Sequence, residues 1–172
     1  FTTDIPFRFV VTGFIFYVLT SIQGSFQGLR GTNSFLHFSQ WPVGHAHLAI
    51  LGGFGFLAIG IMYWLIPNIT RTKIYSNRLM SISWWLALIG FILFFSAMTI
   101  AGLVANSAWY QNITVAPVLK LLQFWYVSRA IGGGMVVLAG YVFAYNMLMT
   151  FVRSKEPHVE EEIFHISHEK SS

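Results

Sequence analysis

Cysteine is missing from this chain. That excludes disulfides, iron–sulfur ligation, thiolate-held metals and covalently attached c-type haem. Charge is nearly as scarce: Asp, Glu, Lys and Arg make up 9% of the residues, against about 25% in a soluble globular domain. Acid is the most confined of all. Asp4 is the only acidic residue before Glu156, and the other five (Glu156, Glu160, Glu161, Glu162 and Glu169) lie in the polar C-terminal tail. A soluble domain needs charge over its whole surface. Residues 1–153 therefore read as membrane-embedded and 154–172 as a polar tail. The formal net charge of +4 comes without a basic run or a recognition motif, so no nucleic-acid partner is expected. No secretory signal is expected either, because the first apolar run is too long for one and no small-residue cleavage pattern follows it. The chain begins at Phe1, as a fragment or a processed product would.

What the chain does have is long apolar runs. Four stand out, at about 5–28, 41–66, 79–108 and 121–152. Each exceeds the ~20 residues that a helix needs to cross the bilayer core. They lack the alternation of strands, and in lipid only helices or closed barrels satisfy their own backbones. The expected fold is all-α: an integral membrane helical bundle of four transmembrane helices with short loops, surrounded by lipid. Within the second run, Trp41 and Trp64 are about 34 Å apart along a helix, a spacing that suits two interfacial aromatic belts. Pro42 suits a first helical turn and Pro67 is expected to end the helix. Arg71, Lys73 and Arg78 follow the second run, Arg153 and Lys155 follow the fourth, and Arg8 opens the first. In a four-helix chain these share one side, while Arg30, Lys120 and Arg129 lie on the other. The positive-inside rule then puts both termini in the cytoplasm.

The second run also carries two imidazoles, His45 and His47, in "WPVGHAHLAILGG". Residues two apart on a helix diverge by about 200° around its axis. A single metal ion gripped by one helix would want a spacing of three or four. His45 and His47 are therefore expected to face two separate partners. Gly44, Ala46, Ala49, Gly52, Gly53 and Gly55 surround them, and small residues admit a close helix or a flat cofactor. Two readings stand at this point. The imidazoles are hydrogen-bonded between helices, or they ligate a cofactor, with haem iron the natural candidate where no thiolate is available. Gln23, Ser96, Thr99, Asn106 and Asn146 are polar groups in or near the helices. Interhelical hydrogen bonding explains them better than a proton-conducting water chain. Gly24 and Gly28 form a G-x-x-x-G and, with Gly132, Gly133 and Gly134, read as close-packing surfaces. In the tail, His158, His165 and His168 read as solvated.

At these residues the sequence resembles a known family. "HFSQWPVGHAHLAILGG", "YWLIPNI", "YSNRLM", "WWLALIGF", "AMTIAG", "SRAIGGG" and "AYNMLMT" are similar to the catalytic subunit of cbb3-type cytochrome c oxidases, in the haem-copper oxidase superfamily. The likeness spans residues 5–153 and corresponds to the last four helices of a dozen-helix subunit I. Its most specific part, the His-x-His helix, is shared with nitric oxide reductases. The resemblance implies that His45 holds the iron of the high-spin haem b3 and His47 that of the low-spin haem b. It implies that Arg129 and His37 meet haem propionates, and that a copper ion (CuB) is held by ligands outside this chain. It further implies electron delivery by a c-type cytochrome subunit, reduction of oxygen with proton translocation, and a place in the bacterial inner membrane. Other oxidase subunits, or further N-terminal helices, would complete the core. A nitric oxide reductase and a non-catalytic haem-b electron-transfer subunit are the alternatives. Two positions depart from the family pattern: Gln23 stands where glutamate is usual, and Ser83 where histidine is frequent.

Overall fold

The computed structural model describes residues 4–154. The tail histidines His158, His165 and His168 lie outside the described residues. Within them the regular structure is all helical: α1 (Ile5–Gly28), α2 (Arg30–Leu36), α3 (Gln40–His47), a π-helical stretch (Leu48–Gly55), α4 (Phe56–Thr70), α5 (Asn77–Tyr110) and α6 (Val115–Ser154). α3, the π-helical stretch and α4 form one rod. Four helices among the described residues are long and apolar enough to cross a membrane: Ile5–Gly28, Gln40–Thr70, Asn77–Tyr110 and Val115–Arg153.

The helix starts follow from capping chemistry. Asp4 accepts from Phe7 N at 3.2 Å, with Pro6 in the first turn of α1. Ser39 accepts from Trp41 N at 3.1 Å and Ser76 from Leu79 N at 3.3 Å. Each satisfies one of the orphan donors of a first turn. α6 begins at Val115, earlier than its apolar run, because Pro117 is preorganised for a first turn.

Pro67 does not end the second span. It sits inside the last stretch of α4, which continues to Thr70 and closes on Arg71 in the left-handed region (φ 52°). So near a C-terminus a proline forfeits a single backbone bond. The side chains of Asn68 and Thr70 donate to Trp64 O (2.6 Å) and Ile66 O (2.8 Å), supplying local bonds to the final turns.

Packing is strongest between α5 and α6, and α1 lies along the rod. The core gathers Phe9, Phe16, Leu48, Phe56, Tyr63, Trp84 and Phe91. Lipid is as apolar as these side chains, so close backbone approach and hydrogen bonds must carry much of the association. At the α5–α6 crossing a Cβ on Gly132 would stand 2.6 Å from both Gly90 O and Phe94 N. Of the G-x-x-x-G pair, Gly24 does pack closely, against His45, whereas Gly28 and also Gly134 on α6 meet nothing within 4 Å.

Of the polar groups singled out, Asn146 and Gln23 bond to other elements, whereas Thr99 Oγ1 and Asn106 Nδ2 are buried with no hydrogen-bond partner among the described residues. Asn146 of α6 accepts from Ser76 N and donates to Ser76 O, both at 3.0 Å, and Thr150 accepts from Tyr75 N at 3.1 Å. These bonds anchor the α4–α5 loop on α6. Ser83 donates to Ala139 O at 3.0 Å, and Trp84 Nε1 donates to Thr12 Oγ1 at 3.3 Å. Bonds of this kind between membrane helices are worth about 1 kcal/mol each.

Candidate functional site

α3 ends on the two imidazoles. His45 is half-buried against α1. Its Nδ1 lies 3.2 Å from Gln23 Oε1, and Gly24 of α1 lies beside its Cε1–Nε2 edge. One face of the ring stacks with Trp41 at an interplanar angle of 9° and 6.1 Å between centroids. His47 turns the other way. Phe94 of α5 meets its ring edge-on at 5.2 Å, and its Nδ1 lies 2.8 Å from Val43 O. One imidazole thus faces α1 and the other α5, as the 200° divergence requires.

The hydrogen bonds decide which nitrogen is available. Both Nδ1 partners are carbonyl oxygens, which only accept. Each Nδ1 thus faces an acceptor oxygen, an arrangement that suits the Nδ1–H tautomer with the Nε2 lone pair kept for a Lewis acid. An oriented imidazole with Nδ1–H anchored on oxygen is the usual state of a metal-ligating histidine.

Haem fits these residues better than a bare ion does. Among the described residues no three His, Cys, Asp or Glu side chains converge, so an ion would need most of its donors from elsewhere. A porphyrin brings four nitrogens and asks for axial imidazoles only. At His45 the Cε1–Nε2 edge lies beside Gly24 of α1, and any side chain there would crowd it: a Cβ would stand 3.3 Å from His45 Cε1 and 3.5 Å from Nε2.

Directly after the imidazoles the rod passes into its π-helical stretch, Leu48–Gly55. Insertions of this kind re-aim the residues around them and cluster at functional sites. Here Gly52 takes the ring of Phe91, which a Cβ would approach to 2.8 Å, and Gly53 O lies 2.8 Å from where a Cβ on Gly13 would be. The wide turns fit between α1 and α5 because these positions lack side chains.

Arg129 comes to the same rod from α6: its Nη1 donates to Gln40 Oε1 at 3.1 Å at the start of α3, and its guanidinium lies over Tyr126. His37 is not brought to the imidazoles. It is exposed just before α3, with its ring edge-on to Phe38 at 4.7 Å. Trp41 does not face outward from the bundle. It is 7% exposed, and Gly102 of α5 leaves room for it by lacking a side chain. Trp64, at 63% exposed, does face outward. Pattern reading overlooked Gln23 as the partner of His45, Gln40 as the partner of Arg129, and the π-helical stretch. The run of glycines after the histidines was the one available signal for the last.

The profile of the family described as Cytochrome C and Quinol oxidase polypeptide I matches residues 1–135. A bacteroid cytochrome c oxidase subunit 1 homologue from Bradyrhizobium diazoefficiens is 30% identical over 166 residues, which cover 92% of this chain and 30% of that protein. A cytochrome c oxidase subunit 1 from Rhodobacter capsulatus is 31% identical over 160 residues, covering 88% of this chain and 30% of its own. The cbb3-type cytochrome c oxidase subunit CcoN1 of Stutzerimonas stutzeri is 29% identical over 161 residues, covering 89% and 34%. This chain thus spans about a third of the length of these relatives. In fold it is similar to a chain of a heme-copper terminal oxidase dimer solved by cryo-electron microscopy. The TM-score is 0.72 at 15% identity, over 90% of this chain and 27% of the other.

Proposed function

Because the chain belongs to the cytochrome c and quinol oxidase polypeptide I family, we propose that it forms the last four helices of a cbb3-class haem-copper oxidase core. The observation that carries this reading is the pair of divergent imidazoles, each with Nδ1 held by a carbonyl oxygen and Nε2 left free. In this reading His45 holds the iron of the high-spin haem b3, and His47 that of the low-spin haem b. Haems bound there would supply the redox chemistry between a c-type cytochrome and oxygen, with a copper ion held by ligands outside this chain. The contribution of the chain is placement. Both ligands sit on one rod, so the two haems cannot drift apart, and Gln23 and Val43 fix the nitrogen each presents. Arg129, already anchored on Gln40, supplies a guanidinium for haem propionates, and His37 a second donor from the exposed segment before α3.

The test is a haem count. Purified in its complete assembly, each copy of this chain should bring with it two non-covalent b-type haems, one low-spin and one high-spin, seen by pyridine haemochrome and reduced-minus-oxidised spectra. A complex with a single b haem, or none, would refute the reading.

The same proposal places the chain in the bacterial inner membrane with both termini in the cytoplasm. Support comes from Arg71, Lys73, Arg78 and Arg153, which gather at one end of the bundle. In spheroplasts, a cysteine introduced at Gln111 should react with an impermeant maleimide and one at Lys73 should not. The opposite pattern inverts the topology.

A further inference from the structure

Trp41 stands at the opening of a membrane-spanning helix, where a tryptophan ordinarily lies flat in the lipid headgroup region. Here it is buried, and several contacts hold it in place. Ser39 binds its backbone N–H at 3.1 Å. Its backbone is pressed on α5 so closely that a Cβ on Gly102 would stand 2.7 Å from Trp41 Cβ. One helical turn later comes His45, and residues four apart share a face. The two rings are nearly parallel, 9° apart.

The imidazole of His45 thus has a neighbour on each part it could use to turn. Gln23 holds Nδ1, but a single hydrogen bond is a point anchor. The ring still swings about the line from Nδ1 to the oxygen. A parallel indole removes that freedom, because swinging drives one edge of the imidazole into the indole and lifts the other away from it. On the remaining side Gly24 of α1 lies beside the Cε1–Nε2 edge and adds no side chain to it. His47 has no such stack. Its aromatic neighbour, Phe94, is edge-on at 64°.

We propose that Trp41 is a positioning residue that fixes the plane of the His45 imidazole, and with it the direction of the bond that Nε2 makes to haem iron. This rests on His45 being an axial ligand, and the test separates the two claims. Trp41→Leu, Trp41→Phe and His45→Ala are made in the complete assembly. The iron–imidazole stretch of the reduced high-spin haem is read by resonance Raman, with the low-spin haem as internal reference. Trp41→Leu should lose the single narrow band and give a shifted, broadened one at unchanged low-spin signal. Trp41→Phe, with a smaller ring to stack, should fall between. A band unchanged in position and width in Trp41→Leu overturns the proposal. Should Trp41→Leu fail to assemble, an unchanged band in Trp41→Phe overturns it equally. If instead His45→Ala leaves the high-spin signal intact, the ligand assignment itself fails, and the Trp41 variants then report only packing.

Discussion

His45→Ala and His47→Ala are expected to erase different haem signals. The first should remove or uncouple the high-spin haem and abolish gas reduction, because it removes the Nε2 proposed as that haem's donor. The second should disturb the low-spin spectrum and stop electron delivery, while the high-spin haem still binds carbon monoxide. The effects separate because the rings face different helices, α1 at His45 and α5 at His47. Each replacement also leaves a gap between packed helices, so assembly should fall in both. Haem must therefore be counted per assembled complex. If both variants disturb one and the same signal, the two-haem assignment is wrong. If neither disturbs any, the imidazoles serve packing alone.

Gly132→Ala should weaken the bundle and reach the same site from a distance. The new methyl would meet Gly90 O and Phe94 N at 2.6 Å and Phe94 Cα at 3.1 Å. All three are backbone atoms, so no side-chain rotation relieves the clash. Ordinary contact begins at 3.4 Å, and α5 and α6 would have to part by about 0.8 Å. Overpacking of this kind costs about 1–3 kcal/mol. Phe94 moves with α5, and its ring bears on His47. Loss of thermal stability should therefore come with a change in the low-spin signal larger than any in the high-spin signal. Gly134→Ala is the control two residues away, since a Cβ there meets nothing within 4 Å. Equal destabilisation by both variants would mean that the α5–α6 crossing is not what Gly132 protects.

Much of this protein is written in its linear pattern. The scarcity of charge before residue 156 and four apolar runs of spanning length point to membrane helices, because in lipid only helices or closed barrels satisfy the backbone and these runs lack strand alternation. The first run, read as 5–28, is α1 to the residue. The opposed directions of His45 and His47 also needed no structure, since they follow from the number of residues in a helical turn. Boundaries were less secure. Pro67 lies within α4 and α6 starts at Val115, because a helix end is settled by which backbone groups find substitutes, and those substitutes are side chains such as Asn68 and Thr70.

Tertiary structure alone decided who meets whom. Gln23 stands out in the sequence as a polar helix residue, but nothing in the pattern says that it, rather than Gln27 one turn further along α1, reaches His45. Trp41 and Trp64 look alike as belt residues, yet one is enclosed beside Gly102 and the other faces outward. Gly24 and Gly28 share one motif, and only Gly24 has a neighbour. The π-helical stretch likewise packs its glycines against Phe91 and α1, contacts that no single-helix pattern contains. Periodicity is a property of a single helix and can be read from it. A partner, a clash or a stack belongs to two helices at once, and its position is set only when all of them pack.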